Sequence, residues 1–311
     1  MLDEGDRDID SQVRLQAFRF LEEQTRLHAN TLPWRVLSQG FAHAGRRVPL
    51  VGPQGIFTPA VLRLPLTITT APPAPGKQPP YDDRMGEDGL LRYRYRGTDP
   101  QHRDNAGLRA ARRGKTPLVY LHGVVKGYYV AAWPVFVVGD DPGALTFTVA
   151  MGRDAASVSG PLSLADLTFE NEGERRYATR ATVVRLHQQG FRMRVLQAYR
   201  ERCAICRLRH QELLDAAHIL PDGHPRGRPV VPNGLALCSL HHAAFDRNVL
   251  GISPDLRVDV RLDVLKEVDG PMLQHGLQGF HGAVVTVPRA EPLRPNREFL
   301  AERYEGFRKA S

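Results

Sequence analysis

The chain has 311 residues, of which 42% are hydrophobic and 24% charged, a composition typical of globular proteins. The length suggests about two domains, and no run of about 18 apolar residues marks a membrane span. The acidic, polar start lacks the apolar core of a secretory signal, so we expect a cytoplasmic location and no membrane partner. The formal net charge of +8 favours a polyanionic partner such as nucleic acid, because phosphate contacts release counterions.

The first 45 residues are predicted to form a helical piece. Apolar residues recur at helical spacing over residues 9–29, a second short helix is predicted at 33–40, and a strand is predicted at 48–51. Two helices followed by a strand and a glycine turn are compatible with a winged-helix-like piece. A plain helical cap on the next domain is equally compatible, and the sequence leaves both open.

Residues 46–150 are predicted to form a compact β domain. Residues 90–96 alternate apolar and basic side chains, as a strand with one buried face does. Further short strands are predicted at 117–121, 127–131, 133–138 and 145–150. Closely spaced strands separated by Gly, Pro and Asp indicate a barrel or half-barrel, and the polar residues 151–177 that follow are predicted to be a linker.

A basic helix is predicted at residues 178–202. From residue 175 to residue 209 the sequence has ten arginines and one acid, Glu201. A solvated helix face usually intersperses acids with bases, so this bias favours contact with a nucleic-acid backbone. The candidate phosphate contacts are Arg185, Arg192, Arg194, Arg226 and Arg228. Beyond them, we predict a strand near 256–262 and a helix near 297–309.

All three cysteines of the chain belong to one pattern. Two residues separate Cys203 from Cys206, and two residues separate Cys238 from His241. Two such knuckles, about 30 residues apart, are typical of a tetrahedral structural zinc site, because zinc prefers thiolate and imidazole ligands. The alternative is three buried structural cysteines; their odd number argues against a pure disulfide framework. We predict that zinc joins the ends of a segment too short to have its own core.

A second set of polar residues is interleaved with these knuckles. His218, Asn233 and His242 follow one another with fourteen and eight residues between them. Here the chain resembles the HNH nuclease family, and more narrowly its Mcr-type, modification-dependent restriction endonucleases. The resemblance rests on DAAHI (215–219), PNGLALC (232–238) and HHAAFD (241–246). It is close over about 50 residues and looser on either side, and it implies a β-hairpin and a helix that grip one catalytic metal ion.

The resemblance also implies a role for each of these residues. His218 corresponds to the general base that activates water, a role that suits an imidazole of near-neutral pKa. Asn233 corresponds to a residue that orients this imidazole or braces the loop, and His242 to a metal ligand. Asp246 lies four residues after His242, hence on the same side of a helix, and we predict it as the second protein ligand of Mg²⁺ or Mn²⁺.

The sequence departs from the family at one position. Many members have a metal ligand immediately before the first histidine, where this chain has Ala217. Asp215 has the same parity as Ala217 on a strand, so it can supply that ligand or serve as a structural hydrogen-bond partner. His241 and His242 are adjacent and must therefore face different ways, one toward each metal.

The β domain has a looser resemblance, over roughly residues 60–150, to the PUA-like superfamily, which includes readers of modified bases. Such readers flip a base into a pocket with aromatic walls and polar groups that contact its Watson–Crick edge. The candidate pocket residues are Tyr81, Asp82, Tyr93, Tyr95, Asn105 and Trp133. Among them, Asp82 or Asn105 could accept a hydrogen bond from a cytosine amino group. The alternative is that the aromatic residues only pack a small barrel.

The prediction as a whole is an α+β protein with four parts. These are a helical, winged-helix-like piece (1–45), a PUA-like β domain (46–150), a linker (151–177) and a zinc-containing HNH nuclease domain (178–311). The predicted function is metal-dependent cleavage of double-stranded DNA, directed at modified cytosine. The alternatives are a nicking or repair nuclease with no modification requirement and a catalytically inactive zinc module that binds DNA. Cutting both strands needs two active sites, so we also predict a homodimer.

Overall fold

The computed structural model describes residues 4–72, 86–153, 164–169 and 171–310. The chain forms two compact units, residues 1–189 and residues 190–311. None of the helices in the described ranges combines the length and the apolar character that crossing a membrane requires.

A sheet of seven strands lies at the centre of the first unit. The strands of this unit are β1 (Leu32–Pro33), β2 (Phe41–His43), β3 (Arg46–Val48), β4 (Ile56–Phe57), β5 (Thr67–Thr70), β6 (Leu91–Arg94), β7 (Leu118–Val125), β8 (Tyr128–Asp141) and β9 (Thr146–Met151). The sheet order is β4, β5, β7, β8, β9, β6, with β1 on the start of β8, while β2 and β3 form a separate hairpin. Within the described residues β4 and β6 do not pair with each other, so the sheet is an open half-barrel.

The strands predicted at 90–96, 117–121 and 145–150 are confirmed as β6, β7 and β9. The strand predicted at 48–51 is displaced, because β3 ends at Val48. A second correction concerns β8. The segments 127–131 and 133–138, predicted as two strands, form the single strand β8. Pro134 suggested a break, because proline cannot donate a ladder hydrogen bond. The register of β8 against β7 shifts between Ala132 and Val135, so Pro134 lies at an irregularity of the ladder.

The N-terminal helices share one core with this sheet. They are α1 (Glu4–Leu27) and α2 (Trp34–Gln39), and a third helix, α3 (Arg103–Arg113), follows β6. Phe18 and Leu21 of α1 and Leu37 of α2 lie in the same buried cluster as Val119 and Leu121 of the sheet. This shared core is the arrangement expected of a helical cap.

The second unit contains the predicted hairpin and helix. Its elements are the end of α4 (Glu172–Ala198), β10 (Leu214–His218), β11 (Gly234–Cys238), α5 (Ser239–Asp246), β12 (Leu250–Ile252), β13 (Val258–Val260), α6 (Leu262–Lys266), α7 (Pro271–Gly276) and α8 (Arg297–Ala310). The antiparallel pair β10–β11 is followed at once by α5, so the implied ββα order is confirmed. The basic helix predicted at 178–202 is α4, which begins earlier, within the predicted linker.

Candidate active site and zinc centre

The two cysteine knuckles bring four ligand atoms together in the second unit. The thiols of Cys203, Cys206 and Cys238 and a ring nitrogen of His241 all lie within 4.8 Å of one another. The Sγ atoms of Cys206 and Cys238 are 3.8 Å apart. A regular tetrahedron with Zn–S bonds of about 2.3 Å has S–S edges of about 3.8 Å. The group is therefore the right size and chemistry for zinc.

The two ring nitrogens of His241 face different groups. Nδ1 lies 3.1 Å from Sγ of Cys238 and 3.5 Å from Sγ of Cys203. Nε2 lies 2.9 Å from the carbonyl oxygen of Gly276, to which an Nε2–H can donate. A ligand histidine whose second nitrogen donates to a backbone carbonyl is fixed in tautomer and orientation. Nδ1 is therefore the atom available to the metal.

His218 ends β10 in a partly buried position against α4. Its ring stacks on Phe191, with centroids 4.1 Å apart and an interplanar angle of 21°. Burial lowers the pKa of His218 below its ordinary value, although the nearby carboxylate of Asp222 opposes the shift. Nε2 is buried and has no hydrogen-bond partner among the described residues. The ring is thus neutral at neutral pH, the protonation state that a general base requires.

Gly234 allows α4 to approach this hairpin. It lies opposite His218 in the β10–β11 register. A Cβ atom at this position would come within 2.5 Å of Val195 and 2.9 Å of Phe191, two buried side chains of α4. Close packing of α4 on β11 therefore places Phe191 where it supports the ring of His218.

Asn233 braces the loop that joins β10 to β11. Its side chain is fully buried, and its Oδ1 accepts a hydrogen bond of 2.9 Å from the backbone N–H of Leu220. Its Nδ2 donates to the carbonyl oxygens of Leu220 and Arg228, at 3.0 and 3.1 Å. Of the two roles that the resemblance implies for Asn233, these contacts support bracing of the loop.

His242 lies between two carboxylates. Its Nδ1 is 3.3 Å from Oδ2 of Asp215, and its Nε2 is 3.3 Å from Oδ2 of Asp246. The hydrogen bond with Asp215 raises the pKa of His242, against the effect of burial. Burial disfavours the charged form of Asp215, but its hydrogen bonds and the charges of His242 and Arg192 together hold its pKa below the ordinary value. Carboxylate oxygens suit Mg²⁺ or Mn²⁺, and imidazole is a ligand of transition-metal ions.

Because the two carboxylates face opposite nitrogens of one ring, replacing each in turn identifies the metal ligand. Oδ1 of Asp215 already accepts from the Ala216 N–H at 2.8 Å, whereas the Asp246 carboxylate has no hydrogen-bond partner besides His242 within the described ranges. We therefore expect Asp246→Asn to raise the Mn²⁺ concentration for half-maximal cleavage by at least about tenfold, and Asp215→Asn to raise it less. Asp255→Asn, at an exposed carboxylate, is the control. The reverse order of effects would assign the metal to Asp215.

The candidate phosphate contacts on α4 differ in accessibility. Arg185 is exposed. Nη2 of Arg192 donates to the carbonyl oxygens of Gln211 and Leu214, at 3.0 and 2.7 Å. Arg194 donates to the carbonyl oxygen of Pro229, and burial lowers its pKa. Protein contacts already occupy Arg192 and Arg194, which favours structural roles for both.

The two loop arginines also differ. Arg226 pairs with Glu302 of α8, and its guanidinium lies 5.4 Å from the centroid of the Phe299 ring. His224 of the same loop lies 2.9 Å from Glu302, so contacts with α8 hold this loop in place. The side chain of Arg228 is exposed. Arg228 is therefore the better candidate of the two for a phosphate contact.

The first unit contains a cavity of about 300 Å³ with aromatic walls. Tyr93 and Tyr95, both predicted as pocket residues, line it together with Trp34 and Tyr129. The rings of Trp34 and Tyr129 lie 6.0 Å apart. Trp34 was not identified from the sequence, because it lies far from the other three along the chain and joins them only through the pairing of β1 with β8.

Two predicted pocket residues are corrected, and two are not described. Asn105 is fully buried in α3, and its amide bonds to the backbone of Arg96 and Asp99 instead of facing the cavity. Trp133 packs against the core of the sheet and does not line the cavity. Trp133 has the same parity as Tyr129 on β8 but lies four residues, about 13 Å, further along the strand, which separates it from the cavity. Tyr81 and Asp82 lie outside the described residues.

Comparison with known proteins supports the assignment of the second unit. Residues 203–253 match the family model described as HNH endonuclease. A modification-dependent TagI restriction endonuclease of known structure is similar at 17% identity over 78% of this chain and 81% of that chain, with a TM-score of 0.28. That TM-score is too low to establish a common fold. No curated protein matches the chain. The match at residues 203–253 contains the zinc group and the ββα order, so the second unit contains an endonuclease domain of the HNH family.

Proposed function

We propose that this chain is a metal-dependent endonuclease that hydrolyses phosphodiester bonds of double-stranded DNA. The observation that carries the proposal is the arrangement at the hairpin and α5. The neutral, half-buried ring of His218 has an unpaired Nε2, and a His242–carboxylate group suited to a divalent ion belongs to the same ββα element. The zinc group joins the ends of this element, independently of the catalytic residues.

In the proposed reaction His218 accepts a proton from a water molecule as that water attacks the phosphorus atom. The P–O3′ bond breaks as the new P–O bond forms, and the leaving O3′ takes a proton from solvent water, so the products are a 3′-hydroxyl and a 5′-phosphate. His242 and a carboxylate would hold a divalent ion, which when bound would supply neutralisation of the charge on the scissile phosphate and the leaving oxygen. Phe191 keeps the ring of His218 in its stacked orientation, and Asn233 keeps the following loop in place. Since both strands must be cut, we propose that two chains act together as a homodimer.

We further propose that the aromatic cavity of the first unit reads a modified cytosine that is flipped out of the duplex. Trp34, Tyr93, Tyr95 and Tyr129 offer aromatic rings, against which a base can stack. The hydroxyl of Tyr95 is bound by Asp140 and Arg109, so Tyr95 does not offer a free hydroxyl to the cavity. The stacking of Tyr95 on Phe147, at 4.4 Å, makes this wall rigid.

The polar groups of this cavity favour a base joined to a phosphodiester backbone. Arg94 and Arg96 line it, whereas no carboxylate does so among the described residues. Gln54 also lines the cavity, and its Oε1 accepts a hydrogen bond from Arg96. Arg96 is already paired with Asp104, whereas Arg94 is exposed. We propose that Arg94 contacts a phosphate next to the flipped nucleotide and that Gln54 and backbone carbonyls accept hydrogen bonds from the cytosine amino group.

Matched plasmids test this function. Wild-type protein with Mg²⁺ or Mn²⁺ is expected to cut plasmid that contains methylated or hydroxymethylated cytosine and to leave the unmodified plasmid intact. Equal cutting of all plasmids would retain the nuclease and reject the reader, in favour of a nicking or repair enzyme. Binding of DNA without cutting, by protein that retains zinc, would reject the nuclease in favour of a binding module.

Trp34→Ala is expected to reduce cleavage of the modified plasmid by about 10- to 100-fold, because stacking of a base on an aromatic side chain contributes about 1–3 kcal/mol. Trp34 is partly exposed, so its removal disturbs the core less than removal of Tyr129. Tyr177→Ala removes an aromatic side chain that is 78% exposed and is the control. Equal activity of the two variants on modified plasmid would show that the cavity does not read the base.

A further inference from the structure

A second cavity of the first unit, of about 420 Å³, has a basic rim. Arg112, Lys115 and Arg175 belong to the rim, and buried apolar side chains such as Phe136 and Met151 form the floor. No acidic side chain lines this cavity in the part of the chain that the structure describes. The charged side chains that line it among the described residues are therefore all positive.

Two of the cations around this cavity are held in place by Phe169. Nη2 of Arg175 donates to the Phe169 carbonyl oxygen at 2.8 Å. The guanidinium of Arg153, which is exposed beside the cavity, lies 5.7 Å from the centroid of the Phe169 ring. Neither contact involves a carboxylate, and within the described ranges neither Arg153 nor Arg175 forms an ion pair with an acid.

Arg112 and Lys115 are exposed at the end of α3. Neither has a carboxylate within ion-pair distance among the described residues. Arg112 acts electrostatically on Asp140, but that carboxylate is paired with Arg109 at 2.7 Å. Surface cations normally alternate with acids, so an uncompensated group on a concave surface creates a positive potential that attracts anions.

We propose that this basic cavity binds the sugar-phosphate backbone of the DNA substrate, at a contact separate from the scissile phosphate. Arginine and lysine are the side chains that most often contact DNA phosphates, and such contacts position a protein on the duplex without reading its sequence. The exposure of Arg112 and Lys115 favours a backbone that passes over the rim, since a small ligand is normally enclosed over most of its surface. The inference rests on the proposal that the chain cuts DNA.

The test uses the full-length protein with Arg112→Gln and Lys115→Gln combined. Its control combines Arg46→Gln with Arg47→Gln, which removes two exposed cations from β3 of the same unit and so gives the same change in net charge. Duplex binding is measured at several salt concentrations, with modified and with unmodified DNA. We expect the first variant to bind both duplexes more weakly, with a plot of log K against log salt that is shallower by about 1–2. The control pair should retain the wild-type slope.

Each remaining outcome rejects the inference in a distinguishable way. A wild-type slope in the Arg112/Lys115 variant, with DNA binding and cleavage intact, rejects the backbone contact and leaves the proposed function standing. Absence of DNA binding and cleavage in the wild type rejects both. Binding of dCMP by the wild type that is lost in the Arg112/Lys115 variant, with the duplex salt slope unchanged, replaces the backbone contact with a small-nucleotide site.

Discussion

Replacement of His218 by alanine is expected to reduce DNA cleavage by about 10²- to 10⁴-fold, the usual contribution of a general base. The reason lies in the environment of the ring. Burial lowers its pKa, Phe191 fixes its orientation, and Nε2 has no partner among the described residues. The measurement is single-turnover cleavage of a modified duplex, with DNA affinity and zinc content determined on the same preparations.

The matched control is His210→Ala, which removes an exposed histidine of the same unit. We expect it to cut DNA at the wild-type rate. Loss of zinc, or of DNA binding, in His218→Ala would show that His218 is structural. Wild-type cleavage by that variant would show that another group activates the water.

Replacement of Cys206 by alanine is expected to remove zinc and to unfold the second unit. Cys206 is the least buried of the three cysteines, so the loss of packing is small and the loss of the metal dominates. Structural zinc contributes about 10–16 kcal/mol in zinc-finger peptides, which is comparable to the whole stability of a domain at about 5–15 kcal/mol. Zinc content by mass spectrometry and amide hydrogen exchange across residues 190–311 measure the two effects.

His275→Ala is the control for the zinc prediction, because His275 is exposed and is not one of the four ligands. It should keep zinc and the exchange protection of the second unit. Full protection and full activity of Cys206→Ala without bound zinc would refute a stabilising role for the metal. Protection in the first unit should stay unchanged, since the four ligands all belong to the second.

The features that were predicted correctly from the sequence are those that depend on short spacings between residues. The two-residue spacing places Cys203 beside Cys206. Because His241 and His242 are adjacent on α5, their side chains face different ways, and the structure places His241 with the cysteines and His242 beside the Asp246 carboxylate. The hairpin and the helix were also expected, because the resemblance covers the whole ββα element. The sequence left the role of Asn233 open, because bracing of the loop depends on carbonyl positions that only the folded loop defines.

Contacts between segments that lie far apart in the chain could not be predicted from sequence patterns. Arginine density on α4 indicated phosphate contacts, yet Arg192 and Arg194 donate to carbonyl groups of the hairpin region, which follows later in the chain. Asn105 was predicted as a pocket residue, whereas it lies in α3 and holds the turn that carries Arg96. The helix α3 was not predicted, because Leu108 is the one large apolar residue among its basic and small residues.

Cleavage of a labelled duplex that contains methylated cytosine tests the proposed nuclease most directly. The duplex is incubated with wild-type protein and, in parallel, with His218→Ala, in Mg²⁺ or Mn²⁺ and in EDTA. We expect wild-type protein to cut the duplex only with the divalent ion and to leave 5′-phosphate ends. We expect His218→Ala to bind the duplex without cutting it. Failure of the wild type to cut with either metal, despite bound zinc and DNA, would contradict the proposed nuclease activity.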